Sequence, residues 1–177
     1  MTDVVMPDAY GRIVEPATVK IERLLPGPIE RVWSYLTDSD LRRRWLASGE
    51  MKLAAGAPFE LVWRNDELTD PPGKRPDGFS EEHKMASRII TVIPPHRLVF
   101  SWDEGGEVSI ELQALGKEVL LTLVHRRLAN RAEMLGVSSG WHVHLDILAN
   151  LLHDKAPGPF WDRWLVLKKE YEYRIPR

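Results

Sequence analysis

The chain has 177 residues, of which 44% are hydrophobic and 28% charged, and its formal net charge is −2. This length predicts one domain, and a charge so near zero argues against nucleic acid as a partner. The tight basic run Arg42–Arg44 is predicted to be a solvated helix face. The chain has no cysteine, which excludes disulfides and thiolate metal sites. Because neither a signal peptide nor a run of ~20 apolar residues is present, we expect a cytoplasmic protein.

The first part of the chain is predicted to contain an arm, a strand and two helices. Residues 1–16 carry little pattern and form the N-terminal arm. Apolar and polar residues alternate in Thr18–Leu25, which predicts a strand with one buried face. Pro28 is well placed as the first residue of a helix. Asp38 caps a second short helix, which is predicted to run through Trp45.

The middle of the chain, from residue 50 to residue 128, is typical of an antiparallel sheet. Residues 65–80 contain three prolines and two glycines and are predicted to form a long loop, which gates a binding site in some proteins. The glycines at 105, 106 and 116 favour hairpin turns. With the first strand, six strands are expected, mostly joined by hairpins. The five in this part are Phe59–Trp63, His83–Ile93, Leu98–Trp102, Val108–Leu112 and Val119–Leu128.

A long apolar helix follows the sheet. Trp141, Leu145, Leu148 and Leu152 lie on one helical stripe. The segment 138–140 is predicted to cap this helix. A long apolar helix that follows a curved antiparallel sheet is expected to pack across the concave face of that sheet.

The C-terminal end is predicted to be a second helix after a break at 157–159. This helix runs from about Phe160 to Arg174. Its buried stripe is predicted to consist of Phe160, Trp164, Leu167 and Tyr171. The chain is therefore an α+β protein with a domain at 17–156 and a C-terminal helical extension at 157–177, packed on the same domain.

The histidines do not suggest a metal site. His142 and His144 are two residues apart on a helix and point about 200° away from each other. His142 and Asp146 share a face and are predicted to form an exposed ion pair or hydrogen bond. His144 is either a buried histidine bonded to a hydroxyl or carbonyl group, or a ligand contact. His125 is either an acid–base group or a strand-edge histidine in a polar patch.

Several segments of the chain follow one another in a recognisable order: Pro28–Trp33, Trp45, Ile93–Trp102, Val119–Arg127 and Gly140–Leu145. This succession resembles that of the SRPBCC (START-like) superfamily over roughly residues 17–175. Within that superfamily the chain resembles bacterial proteins related to the C-terminal domain of the activator of the ninety-kilodalton heat-shock-protein ATPase.

This resemblance implies a helix-grip fold, in which a curved antiparallel sheet wraps around a long C-terminal helix and leaves an apolar cavity. It also implies that the cavity binds a hydrophobic or amphipathic small molecule. The superfamily includes cyclase-like enzymes, whose catalytic residues differ, so no catalytic residue is assigned. The chaperone-activating role, which would place the chain in a stress response, belongs to eukaryotic relatives with an additional N-terminal domain.

Together these observations predict a small-molecule-binding module without metal or cofactor. Aromatic residues are expected to bury the ligand, while His144 and His125 hold its polar end. One alternative is a cyclase- or hydrolase-like enzyme that acts on a polyketide- or lipid-like substrate, with one of these histidines as its acid–base group. Another is a co-chaperone or homodimer that uses the final helix. The predicted cavity wall consists of Trp33, Phe59, Leu61, Trp63, Trp102, His125, Trp141, His144 and Leu148.

Overall fold

The computed structural model of the protein describes residues 8–177. Residues 1–7, the first part of the predicted arm, lie outside the described residues. In chain order the elements are β1 (Arg12–Glu15), β2 (Thr18–Pro26), α1 (Ile29–Thr37), α2 (Ser39–Arg42), β3 (Pro58–Trp63), β4 (His83–Ile93), β5 (Arg97–Trp102), β6 (Gly106–Leu115), β7 (Glu118–Arg126), α3 (Arg131–Leu152) and α4 (Phe160–Arg174).

The seven strands form one antiparallel sheet in the order β1-β2-β7-β6-β5-β4-β3. The long strand β4 joins β3, at one edge of this sheet, to β5. Its first half pairs with β3, where His83 lies opposite Trp63, and its second half pairs with β5, where Ile93 lies opposite Arg97. With α3 packed against the sheet, the α+β helix-grip fold is confirmed.

The seventh strand, β1, was not predicted. It pairs with β2 at the edge of the sheet, and all four of its residues are exposed. A strand without a buried face lacks the apolar–polar alternation by which strands are recognised. Just before it, the backbone N–H of Gly11 donates to the hydroxyl of Tyr171 (2.7 Å). The described end of the arm is therefore held against the domain.

The core lies between the sheet and the two long helices. Along β7, alternate side chains from Val119 to His125 are buried, so this strand presents one continuous face to the core. On α3 the predicted stripe, Trp141, Leu145, Leu148 and Leu152, is buried. None of the helices among residues 8–177 is long and apolar enough to cross a membrane.

Helix α3 begins seven residues before the predicted cap at 138–140, so that prediction was wrong. The side chain of Asn130 accepts a hydrogen bond from the backbone N–H of Glu133 (2.9 Å). In return, the carboxylate of Glu133 accepts one from the N–H of Ala129 (2.8 Å). This reciprocal pair is similar to a capping box, except that the carboxylate bonds the residue before the cap, and it satisfies N–H groups at the helix end. The segment 138–140 lies inside the helix.

Helix α4 has the predicted bounds and the predicted buried stripe. Phe160, Trp164, Leu167 and Tyr171 are all buried against the rest of the domain. Trp161, which the stripe did not include, is buried as well, with 2% of its surface exposed. The helix therefore contributes a broad aromatic face to the core.

The predicted solvated basic face was wrong for Arg42, which is 2% exposed. Its guanidinium group donates to the carbonyl oxygens of Leu36 (3.2 Å) and Ala47 (3.1 Å) and also to that of Gly49. Burial lowers the pKa of Arg42 to about 10. Arg42 thereby holds the turn after α2, which ends at this residue rather than at Trp45.

Candidate ligand-binding site

A cavity of about 330 Å³ opens between the sheet, α3 and the loop that joins β3 to β4. A volume of this size lies at the lower end of the range for small-molecule pockets. Its walls are predominantly apolar and aromatic. Four of the seven tryptophans in the chain line it, at positions 63, 102, 141 and 161.

The sheet side of the cavity is a chain of aromatic contacts. The rings of Trp63 and His83, which are paired across β3 and β4, have centroids 5.5 Å apart. Trp102 on β5 lies 5.5 Å from Trp63 and 5.5 Å from Trp141 on α3. Tilted and edge-to-face contacts of this kind are the favoured arrangements of aromatic pairs. The wall is therefore preorganised by ring packing.

The α3 side of the cavity is formed by one face of the helix. Gly136, Gly140 and His144 follow each other at intervals of four residues, and Val137 and Trp141 lie beside them. Because residues four apart share a helix face, this face is directed at the cavity along more than two turns. It carries no side chain at the two glycines.

Helix α4 and the β3–β4 loop close the third side. Trp161 of α4 lines the cavity, and its indole N–H donates to the carboxylate of Asp66 (2.7 Å). The backbone N–H of Trp161 donates to the carbonyl of Pro72 (2.9 Å), and that of Phe160 donates to the hydroxyl of Thr69 (3.0 Å). These bonds tie the first part of the loop to α4.

The second part of the loop forms the mouth of the cavity. Phe79 lies against Trp161 and Trp164, with ring centroids 5.2 Å and 5.0 Å away. It is nevertheless 45% exposed, and its neighbours Gly78 and Glu81 are exposed as well. The mouth is therefore covered by a short segment with few buried contacts.

The structure brings four of the nine predicted wall residues to the cavity. Trp63, Trp102, Trp141 and His144 line it. The other five are buried in the core around it and do not line it: Trp33, Phe59, Leu61, His125 and Leu148. Phe59 and Leu61 do share the face of Trp63, as predicted, but Phe59 packs on Phe100 instead (5.8 Å between centroids).

His144 is bonded to a carbonyl group and also lines the cavity. Its Nδ1 lies 2.8 Å from the carbonyl oxygen of Trp45 and must donate to it, because a carbonyl only accepts. In the neutral imidazole, Nε2 is then a hydrogen-bond acceptor. Burial lowers the pKa of His144 to about 4, although the bond to Trp45 opposes this. At neutral pH His144 therefore offers the cavity a neutral acceptor.

His125 is fully buried. The alternative of a strand-edge histidine in a polar patch is therefore wrong. The indole N–H of Trp141 donates to its Nδ1 (3.1 Å), so the imidazole proton lies on Nε2. The ring also packs edge-to-face on Trp102, with centroids 4.9 Å apart. Burial lowers its pKa to about 4. His125 thus fixes the orientation of two wall tryptophans from behind.

His142 contacts Asp146, as predicted, but it is buried in a network away from the cavity rather than exposed. Its Nδ1 is 2.8 Å from the hydroxyl of Tyr171, and its Nε2 is 3.5 Å from the carboxylate of Asp146. Asp146 also pairs with Arg23 (3.0 Å). Burial, and next the charge of Arg23, lower the pKa of His142 to about 3. Among residues 8–177, no group of three His, Cys, Asp or Glu side chains could hold a metal ion.

Several lining residues were not predicted from the sequence. The cavity is also lined by Leu46, Asn65, Phe79, Gly136, Gly140 and Trp161. The sequence contains a signal for Trp161, because an aromatic residue next to a buried stripe widens that stripe. It also contains one for the two glycines, which lie four residues apart inside a helix.

Residues 26–153 match the family model described as Activator of Hsp90 ATPase homolog 1-like protein. No curated protein matches the chain.

Solved structures share the fold over most of the chain. A protein of Bordetella parapertussis, solved in solution by NMR, is 38% identical, with 100% of this chain and 97% of that chain covered and a TM-score of 0.80. CalU16 from Micromonospora echinospora is 24% identical, with 92% and 93% covered and a TM-score of 0.64. DynU16, from the dynemicin biosynthetic locus, is 19% identical, with 80% of this chain and 49% of that chain covered and a TM-score of 0.63. Because the family model matches well over half of the chain, the protein belongs to the family of Activator of Hsp90 ATPase homolog 1-like proteins.

Proposed function

We propose that the protein binds a hydrophobic or amphipathic small molecule in the cavity between the sheet and α3. The observation that carries this proposal is the cavity itself, about 330 Å³ in volume and lined by four tryptophans. A pocket with aromatic walls and a few polar groups is the usual form of a small-molecule site. The mouth segment around Phe79 would gate entry.

The polar groups of the cavity support binding more than acid–base catalysis. A general acid or base works best with a pKa near the working pH, whereas burial lowers the pKa of both His144 and His125 to about 4. The neutral acceptor at Nε2 of His144 instead suits a ligand that carries a hydroxyl or N–H group. His144 thus orients the polar end of the ligand, and His125 acts only through the tryptophans it supports.

Native mass spectrometry of the gently purified protein tests the proposal directly. We expect a discrete mass excess over the bare chain that disappears at higher collision energy. For a defined probe we choose naphthalen-2-ol, which is neutral at pH 7, carries one hydroxyl group and has two fused rings. The absence of both an adduct from the cell and any heat of binding with this probe in isothermal titration calorimetry would contradict the proposal.

The substitution Phe79→Ala is expected to weaken the binding of naphthalen-2-ol about three- to tenfold, because one aromatic contact contributes about 0.5–1.5 kcal/mol beyond its area. Phe79 is 45% exposed, so the fold should tolerate this change. The matched control is Ile93→Ala, at another exposed apolar residue away from the cavity (51% exposed). Calorimetric titration of both variants checks the result. Equal affinities of the two variants would show that the mouth segment does not contribute to binding.

A protein partner is a second proposal, because α4 exposes Leu165, Val166 and Tyr173 on the side opposite to its buried stripe. These residues would form the contact in a homodimer or with a chaperone.

A further inference from the structure

Helix α3 contains two glycines that neither its backbone nor its packing explains. Gly136 and Gly140 lie inside a helix of 22 residues, where glycine is less favourable than alanine. Neither has the positive φ that favours glycine. They are four residues apart, so they share one face and are about 6 Å apart along the axis.

Close packing, the common reason for a glycine, does not apply to them. Outside the nearby backbone of the helix and the adjacent residues, a Cβ atom placed on Gly136 or Gly140 meets no protein atom within 4 Å. By contrast, a Cβ on Gly27 would lie 2.8 Å from the carbonyl oxygen of Lys117, and one on Gly106 would lie 2.5 Å from that of Trp102. Those two glycines make room for the protein, whereas a side chain at either glycine of α3 would enter open space.

The space that they leave belongs to the cavity, because both glycines line it. We propose that Gly136 and Gly140 form a seat for a flat, uncharged ring system of the ligand and determine which molecules the cavity accepts. This inference rests on the proposed function, since it assigns a part of the same site. We call these two residues the glycine seat.

The shape of the seat favours a flat ring. Without Cβ atoms, the helix presents a smooth strip about 6 Å long between the two Cα atoms, which is comparable to two fused six-membered rings. Trp102 and Trp141 lie on the same cavity, and their rings favour offset or edge-to-face contact with another aromatic ring. A saturated ring system is thicker and cannot approach the strip as closely.

The charge of the lining favours a ligand without negative charge. Among the described residues that line the cavity there is no lysine or arginine. The charged side chain there is that of Glu81 at the mouth, which repels an anion. A buried carboxylate of a ligand would have no cation to pair with, and burying an unpaired charge is strongly unfavourable.

The test uses the full chain, two glycine variants and one control. Gly136→Leu and Gly140→Leu each place a side chain on the seat, and Ala132→Leu adds one at an exposed position of the same helix outside the cavity. The probes are naphthalen-2-ol, its saturated analogue decahydronaphthalen-2-ol and the anion naphthalene-2-carboxylate. Affinities are measured by calorimetry, and the Tm of each variant by circular dichroism.

We expect the unmodified protein to bind naphthalen-2-ol roughly tenfold or more tightly than either other probe. Both glycine variants should lose roughly tenfold or more in affinity, as expected when a filled site is overpacked, while Ala132→Leu keeps its affinity. Their Tm should stay the same or rise by about 2–4 °C, because glycine is replaced by a better helix former. If the two glycines served only the fold, their replacement would not lower the affinity for the probe while leaving the stability unchanged.

The failure of the inference is distinguishable from the failure of the proposed function. If the unmodified protein binds the probes and Gly136→Leu and Gly140→Leu bind as well as it does, the cavity is a site but the glycine seat is wrong. Equal affinity for the flat and the saturated probe would likewise overturn the choice of a flat ring. If the unmodified protein binds none of the three probes, both the proposed function and the inference fail for ligands of this class.

Discussion

Lowering the pH from 7 to 5 is expected to reduce the free energy of unfolding by about 6 kcal/mol. The cause is the burial of three histidines, His125, His142 and His144, which are at most 6% exposed. Burial lowers their pKa values to about 4, 3 and 4. In the unfolded chain a histidine has a pKa near 6.5.

The direction of this change in stability follows from which state, folded or unfolded, binds more protons. Below pH 6.5 the unfolded chain protonates these histidines while the folded protein keeps them neutral, so stability falls as the pH falls until it approaches 4. Below pH 6.5 each histidine contributes about 1.4 kcal/mol per pH unit, so the three together contribute about 4 kcal/mol per pH unit. Burial raises the pKa of Asp146 against the opposing charges of Arg23 and Arg163, and this single carboxyl group offsets a small part of the loss. Since domains are stable by about 5–15 kcal/mol, this loss is a large fraction of the stability at pH 7.

Urea unfolding at several pH values between 7.5 and 5, followed by circular dichroism, measures the change in the free energy of unfolding per pH unit. His142→Gln should reduce the number of protons taken up on unfolding from about three to about two. The control is His153→Gln at an exposed position, which should change the free energy of unfolding at pH 7 by about 0.5 kcal/mol or less. A free energy of unfolding that is constant from pH 7 to pH 5 would contradict the prediction.

Much of the fold was predictable because its elements carry local patterns. The strand His83–Ile93 and the helix Phe160–Arg174 have the predicted bounds, since prolines stand directly after the first and before the second. The stripe from Trp141 to Leu152 was predictable because it is fully apolar. The start of α3 was also within reach, since Asn130 followed by Glu133 is the pattern of a capping box. Only β1, whose residues are all exposed, offered no pattern.

The cavity was less predictable than the fold, because a cavity depends on where side chains are absent. Hydrophobic patterns predicted that Trp33 and Leu148 are buried, and both are. They could not predict which buried residues border empty space. The α3 side of the cavity is open because of Gly136 and Gly140, and apolar periodicity does not register a glycine. Trp161 reaches the cavity only because bonds distant in sequence, such as that to Asp66, place it there.

Removal of residues 157–177 is expected to prevent folding, although this segment was predicted to be an extension of the domain. It carries six buried side chains: Phe160, Trp161, Trp164, Leu167, Tyr171 and Ile175. At about 2 kcal/mol for each, their burial stabilises the fold by roughly 12 kcal/mol as an upper estimate. This amount is comparable to the whole stability of a domain. The truncation would also remove the hydroxyl group that contacts His142 and the cavity wall at Trp161.

The matched control leaves α4 in place and changes only its exposed side. Leu165 and Val166 are 39% and 48% exposed, so Leu165→Gln with Val166→Gln should change the free energy of unfolding by about 0.5 kcal/mol or less per site. Near-ultraviolet circular dichroism and urea unfolding should give a cooperative transition for the double variant and none for the truncated chain. A truncated chain that unfolds cooperatively at the same urea concentration as the full chain would show that α4 is dispensable. Gel filtration of the folded double variant then tests the exposed side of α4. A smaller apparent mass than that of the unmodified protein identifies this side as a contact between copies, and an equal mass excludes such a contact.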